Sequence, residues 1–381
     1  MITSITFKNF RRFSDLSLPL SRLTMLTGTN GVGKTSVLEG LYCLFSETKL
    51  DVAQLSRFNR TFNNAPIPFG VAPNYTYKYR LFWKECPFQE QKECSVEAQS
   101  DNGLNWLWTY NQVNVFDLDK QLTVSPPVGF PPIDTMTEFA LWNWSRYGEL
   151  IDQHTQQLSV VNDFFQRAQI LLPGDSLCYC IQQAQSNSPE SLGMCRYLDF
   201  STLRVSPNEL TLDSSKSLTK ALQIINPRIT DVRLTDKEGG LSVILDDQYS
   251  LSLGAIGNGA VTLASALLVI LELVGKVKNL PPDTPAFILI DEMGAGVHYS
   301  IMLEVWDYIS KFSEKNPNIQ FVFTTHNDDC VRAFCEVFSG SSIAQIVRLH
   351  QTASDNRIIP TVYDNEKQFE NIITGNWEVR G

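Results

Sequence analysis

The run Gly28-Thr29-Asn30-Gly31-Val32-Gly33-Lys34-Thr35-Ser36 has the residue types and spacing of a phosphate cradle. Gly28, Gly33, Lys34 and Thr35 fit the G-x-x-x-x-G-K-[ST] pattern. Gly31 and Gly33 carry no Cβ, so their backbone N–H groups can turn inward around phosphate oxygens. A helix starting near Lys34 would aim the positive end of its dipole at the anion. Lys34 would reach the β- and γ-phosphates, and Thr35 would offer its hydroxyl to Mg2+. The competing explanation is a glycine-rich turn that matches by accident. The strand pattern before the loop and the helical pattern after it argue against that.

A loop of this kind needs a carboxylate at a strand end to hold the metal. Phe287-Ile-Leu-Ile290 is an apolar strand pattern that delivers Asp291 to that place. Glu292 follows directly and could polarise the attacking water as a general base. Taken alone, Asp-Glu after a strand reads better as a helix N-cap; the phosphate loop changes the balance. His326 ends a further apolar run, Gln320-Phe-Val-Phe-Thr-Thr325, and could sense the γ-phosphate, although a lone histidine after a strand is usually structural. Asp291 lies far beyond Lys34, whereas small GTPases and kinases keep these parts close. The expectation is one site assembled from both ends of the chain around an insertion.

The elements that would position these residues are legible in part. Residues 2–27 alternate and predict two or three strands, the last running into Gly28. Val37, Leu38, Leu41, Tyr42, Leu44 and Phe45 have helical spacing. YTYKYRLFW (75–83) and LNWLWTY (104–110) predict antiparallel strands. The proline-rich VSPPVGFPPID (124–134) is a break. Residues 135–172 read as mainly helical, and the stretch from Cys178 to Cys195 has no clear period. A short helix over 215–226, a hairpin turning at Gly239 and Gly240, an apolar helix from Ala260 and the strand ending at Asp291 follow. A helix near 301–313, a strand before His326 and a helix from Asp328 come next. IAQIVRLH (343–350) and IIPTVYD (358–364) read as two edge strands. The organisation expected is one α/β domain over 1–381: an N-terminal lobe (1–125), a mainly helical insertion (126–200) and a C-terminal lobe (201–381).

Composition narrows the class. The chain has 381 residues, 43% of them hydrophobic, with 31 basic against 41 acidic and a net charge of −10. That suits a globular protein with a real core and argues against a generally basic nucleic-acid coat. Eight cysteines in this length do not make a disulfide scaffold. Lys8, Arg11 and Arg12 interrupt any secretory signal, so a reduced, cytoplasmic setting is expected. Residues 260–277 are apolar but carry Glu272 and Lys276 and fall short of a span of about 20 residues, which predicts a core helix. Cys86, Cys94, Cys178, Cys180 and Cys195 show no paired C-x2-C metal spacing. The tryptophans at 83, 106, 108, 142 and 144 could stack bases, but in strands they more often fill a core.

These residues together resemble the ABC-type ATPase head of the overcoming-lysogenization-defect (OLD)-like and SMC-like ATPases, in the short form without a TOPRIM nuclease. NFRRF at 9–13 resembles the family's opening. IDEMGAGVHYS at 290–300 resembles its Walker B and D-loop block, and FVFTTHNDDCVRAF at 321–334 its switch-histidine block. The resemblance covers roughly 1–45 and 200–381. It implies a P-loop fold with a mixed sheet and flanking helices, to which the residue patterns of the middle add an antiparallel β lobe and a small helical insertion, and it makes ATP the substrate and Mg2+ the cofactor. It implies that two heads sandwich ATP, the signature glycines of one closing on the phosphate held by the other. Gly257, Asn258 and Gly259 stand where that signature belongs. Arg11, with Arg12 as fallback, matches an arginine that reaches the phosphates; either could equally be a surface charge. The Q-loop glutamine has no clear place, Gln89 and Gln112 being weak candidates.

Two departures stand out. Val261 and Thr262 replace the basic residues that commonly follow the signature, and Gly294 and Ala295 replace a Glu-Asn pair in the D-loop block. Both fall where trans contacts are expected, which predicts slow turnover or a seam completed by a different subunit. The favoured reading is an ATP-driven switch that dimerises and controls a separate effector, a nuclease or toxin in antiviral defence. The alternatives are a RecF-like DNA-repair clamp, a transporter ATPase with a membrane partner, and a nucleotide-binding scaffold without hydrolysis. Acidic balance leans against the clamp, and the lack of an LSGGQ block leans against the transporter. The partners expected are a second copy, in an ATP-dependent head-to-head dimer or higher homo-oligomer, and a separate effector, with nucleic acid open as a further partner and no membrane.

Overall fold

The computed structural model describes residues 1–45, 93–114, 168–171, 176–185, 193–199, 212–234, 241–246, 249–281, 284–353, 356–375 and 377. Along the chain these form β1 (Ile2–Phe10), β2 (Phe13–Pro19), β3 (Leu23–Thr27), α1 (Lys34–Phe45), β4 (Glu93–Ser100), β5 (Asn105–Asn114), β6 (Ala168–Leu171), β7 (Ser176–Gln185) and β8 (Met194–Asp199). Then come α2 (Leu212–Leu222), β9 (Ile229–Leu234), β10 (Leu241–Leu245), β11 (Ser250–Ser252), α3 (Leu253–Ile256), α4 (Asn258–Val277), β12 (Ala286–Asp291), α5 (Met302–Lys315), β13 (Ile319–Thr324), α6 (Asp328–Phe338), β14 (Ala344–Gln351), β15 (Ile358–Tyr363) and α7 (Glu366–Ile373). They divide into two compact units, one of Met1–Thr3, Leu18–Leu38 and Gly193–Gly381, the other of Ser4–Ser17 and Glu39–Leu192.

The first unit is built on a six-stranded sheet in the order β15-β14-β3-β13-β12-β8. β8, β12, β13, β3 and β14 run parallel, and β15 pairs antiparallel with β14. Every residue of β3, β12 and β13 is buried, which is why Phe287–Ile290 of β12 reads as an apolar run; in β3 and β13 the buried positions include Thr24, Thr27, Gln320 and Thr324. The parallel register brings Thr27, Asp291 and Thr324 out at the same end of the sheet. β13 lies between β3 and β12, so the strand carrying Asp291 is not the immediate neighbour of the glycine-loop strand.

Two apolar clusters fill this unit. The larger centres on Trp306, fully buried, with Phe323 at 4.9 Å and Phe334 at 5.0 Å between ring centroids, both edge-on. The Trp306 indole N–H donates to the Cys330 carbonyl at 3.0 Å, so its polar atom is satisfied in the core. The smaller cluster joins α2, the three-stranded β11-β10-β9 sheet and α4. Helix α4 is long and apolar enough to cross a membrane. Ala266, Ile270 and Leu273 pack into the larger cluster, and Ala260, Ala264, Leu267 and Leu268 into the smaller, which accounts for its composition as a core helix.

The second unit is built on a sheet in the order β2-β1-β4-β5-β7-β6, with β4, β5, β7 and β6 successively antiparallel. Phe7 packs against Phe10 at 5.6 Å and Phe13 at 5.3 Å. The later part of α1 lies on this layer: a Cβ at Gly40 would sit 2.3 Å from the Phe7 ring. Phe45 reaches Trp106, buried in β5, at 5.9 Å. Trp106 is thus a core residue, not a base-stacking platform.

The insertion at 126–200 is expected to be mainly helical; most of it lies outside the described residues, and those described include the strands β6, β7 and β8, of which β8 belongs to the parallel sheet. Two other expectations differ from the structure. IAQIVRLH was expected at an edge, whereas β14 is interior and β15 alone forms that edge. The helix expected at 215–226 runs from Leu212 to Leu222. YTYKYRLFW, the proline-rich break, Cys86, Gln89 and Trp83, Trp142 and Trp144 lie outside the described residues.

Candidate active site

The glycine loop leaves β3 at Gly28 and enters α1 at Lys34. Gly28, Gly31 and Gly33 have φ of 129°, 78° and 107°, backbone that L side chains rarely adopt. Gly28 has a second constraint, because a Cβ there would lie 2.1 Å from the Leu349 carbonyl oxygen of β14. Thr29, Asn30 and Gly31 are exposed, while Val32 anchors the loop tip in the core. Ser36 is buried behind the helix start.

Lys34 is buried, and its Nζ donates to the carbonyls of Gly28 at 2.7 Å and Thr29 at 2.9 Å. Burial pushes its pKa down to about 8, against the opposing pull of Asp291 and Glu292. A desolvated ammonium whose hydrogen-bond acceptors are neutral carbonyls is stabilised by an anionic oxygen.

Asp291, at the tip of β12, is buried and gathers hydroxyl groups from three elements. Thr35 of α1 lies 3.2 Å from Oδ1 and 3.1 Å from Oδ2. The Tyr197 phenol of β8 donates to Oδ2 at 2.9 Å, and the Thr324 hydroxyl of β13 donates to Oδ1. The register explains this convergence. Tyr197 pairs with Leu289, so its side chain leaves the same face as Leu289 and Asp291.

Glu292 follows with φ 58°, a left-handed conformation that is uncommon outside glycine. Its N–H donates to Thr324 Oγ1 at 2.9 Å. The next N–H, of Met293, donates to the Thr324 carbonyl at 2.7 Å. His326 sits between the end of β13 and α6, whose N-cap Asn327 accepts from Asp329 at 2.8 Å and Cys330 at 3.4 Å. Partial desolvation, and then the Lys34 charge, hold the His326 pKa below its ordinary value, with Asp291 opposing. Lys34, Thr35, Asp291, Glu292 and His326, distant in sequence, thus act on one another at one end of the sheet.

The signature candidates lie elsewhere. Gly257 has φ 126° and precedes the 20-residue α4, whose start has no side-chain cap. Asn258 is exposed. A Cβ on Gly259 would lie 2.7 Å from the Gly296 carbonyl oxygen, so this glycine allows α4 to pack on the loop after Asp291. Arg11, in the other unit, is buried with its Nε 3.1 Å from Glu39. A buried ion pair of this kind is costly to break, since either partner alone would be an uncompensated charge. The side chain of Gln112, on β5, lies outside the described residues.

Sequence reasoning missed Tyr197 and Thr324. Tyr197 lies just beyond the stretch without a clear period, where no element was expected, and only the parallel pairing of β8 reveals it. Thr324 ends the apolar run before Thr325-His326, and that place at a strand end was the available signal; the β12–β13 register, which continues to Thr324 beside Asp291, comes only from the structure.

The donor set fits a magnesium-bound triphosphate. The Thr35 hydroxyl and the Asp291 carboxylate, 3.1 Å and 3.2 Å apart, are close enough to share one small cation that takes oxygen ligands at about 2.1 Å. Lys34 would meet the phosphate charge, and MgATP would supply the electrophilic phosphorus and the metal.

Residues 1–111 match the family model described as AAA ATPase domain. The chain is 20% identical over 405 aligned positions to an ATP/GTP phosphatase of Helicobacter pylori, across 97% of this chain and 98% of that one. Among solved structures, the SMC head domain from Thermotoga maritima is similar at 13% identity and a TM-score of 0.45, covering 94% of this chain and 98% of that one. The Smc head domain with an extended coiled coil bound to the C-terminal domain of ScpA, from Pyrococcus furiosus, is similar at 13% identity and a TM-score of 0.44, covering 99% of both. The glycine loop between β3 and α1, the parallel sheet behind it and the match of residues 1–111 are those of a P-loop ATPase domain.

Proposed function

We propose that this ATPase is a slow switch that dimerises on ATP and controls a separate effector. The observation that carries the reading is the Thr35–Asp291 contact, which brings loop hydroxyl and strand-end carboxylate within reach of one Mg2+. Residues 28–36 cradle the triphosphate. Lys34 neutralises it, Thr35 and Asp291 hold the metal, Glu292 takes the proton of the attacking water, and His326 senses the γ-phosphate.

The dimer rests on the open start of α4. Gly257, with nothing within 4 Å of its would-be Cβ, and exposed Asn258 can meet an anion held by a second copy. Slow turnover rests on the D-loop block. Gly294 and Gly296 have φ of 90° and 75°, so this loop carries glycine geometry where polar side chains would reach across a seam. Control of a nuclease or toxin in antiviral defence rests on the resemblance to the OLD-like group.

Glu292→Gln tests the reading against a passive scaffold. The variant should bind MgATP like the parent, lose turnover by about 100-fold or more, and accumulate as dimer by light scattering. A monomer in MgATP for both proteins would sink the switch.

A further inference from the structure

We propose that Thr324 is a positioning residue that fixes Asp291 and Glu292 as one unit, with Tyr197 setting the other carboxylate oxygen. The inference rests on the ATPase reading above and assigns roles to two residues outside the phosphate loop and its catalytic carboxylates.

A hydroxyl has one hydrogen to give. Thr324 gives it to Asp291 Oδ1 and takes the Glu292 N–H, at 2.9 Å, on a lone pair. One atom thereby joins the metal carboxylate to the backbone of the base. Its carbonyl accepts from Met293 N at 2.7 Å, and Thr325 Oγ1 donates to the Met293 carbonyl at 2.8 Å. Residues 291–293 are thus bracketed by two consecutive threonines, Thr324 at the end of β13 and Thr325 just after it. The bracket explains how Glu292 holds φ 58°, a conformation that the surrounding structure must over-determine in a non-glycine residue. Threonine suits the task, being stiff at χ1 and only 1% exposed here.

Tyr197 completes the arrangement from the opposite strand. Its phenol donates to Oδ2 at 2.9 Å, the oxygen that also lies 3.1 Å from Thr35. Asp291 is held from β13 on one side and β8 on the other, which limits rotation of the carboxylate. The orientation presented to a cation beside Thr35 is then set before the cation arrives, the general requirement for a precise metal site.

The test uses the full chain as Thr324→Val, Thr324→Ser and Tyr197→Phe. A fluorescent ATP analogue is titrated in EDTA and across a Mg2+ series, beside kcat, KM and thermal midpoints. Affinity in EDTA should stay at the parent value in all three. The Mg2+ concentration for half-maximal tightening should rise about tenfold in Thr324→Val and Tyr197→Phe, the worth of one lost hydrogen bond to a charged group. In Thr324→Val, kcat should fall about 100-fold with KM little changed, because the base is misplaced. Thr324→Ser, which keeps the hydroxyl, should stay within about threefold of the parent on each measure. Parental Mg2+ dependence in Tyr197→Phe, or Thr324→Ser failing as badly as a folded Thr324→Val, overturns the proposal while the ATPase reading stands. A parent that binds no nucleotide in either condition overturns both.

Discussion

Cys330 and Cys335 show how much the environment of a single residue decides. Burial pushes both thiols up to about 12, and Cys43 higher still, with the Glu39 carboxylate adding to the effect. At pH 8 only about one in 10,000 of the first two would be thiolate, against roughly a quarter of free cysteine. Site-resolved iodoacetamide labelling at pH 8 should therefore leave Cys43, Cys330 and Cys335 unmodified in the folded chain and modify them in denaturant. Native labelling at the rate of a free thiol would show that these sites open. At this scale the chemistry-bearing residues were largely legible, because Gly28, Lys34, Thr35, Asp291 and His326 stand in patterns whose physics is local. Tyr197 was not, since its role exists only through a strand pairing. Nor was the left-handed backbone of Glu292, which glycine-free sequence does not announce.

Among elements, the contact between the α4 start and the loop after β12 depends on an absent side chain. Gly259→Ala would place a methyl 2.7 Å from the Gly296 carbonyl oxygen, a backbone atom that cannot swing aside. The expected loss is about 1–3 kcal/mol, seen as a thermal midpoint several degrees lower. Gly254→Ala, in α3 with nothing within 4 Å of the new Cβ, should be neutral or stabilising by up to about 1 kcal/mol. Equal midpoints for the two variants would show that the close approach carries no strain. Helical spacing made α1, α4, α5 and α6 legible, alternation made the strands up to β3 legible, and apolar runs made β12 and β13 legible. Such patterning failed for β14, because an interior strand next to an antiparallel edge has the same apolar content as an edge strand. It also failed for β7, whose SLCYCIQQAQ mixes β-formers with glutamines and shows no strict alternation.

For the molecule as a whole, the candidate site residues come from segments near 30, 290 and 325 that meet at one end of a parallel sheet, while β4 to β7 belong to the antiparallel sheet of the other unit. That arrangement follows from the parallel pairing of β3, β13 and β12, which turns distance along the chain into adjacency. The account stands on those ends holding one MgATP. The most direct measurement is calorimetric ATP binding, with and without Mg2+, to the wild-type chain and to Asp291→Asn. Mg2+ should tighten binding to wild type, and the variant should match wild type without metal but lose that tightening by about tenfold or more. An unchanged Mg2+ response in Asp291→Asn, or none in wild type, would contradict it.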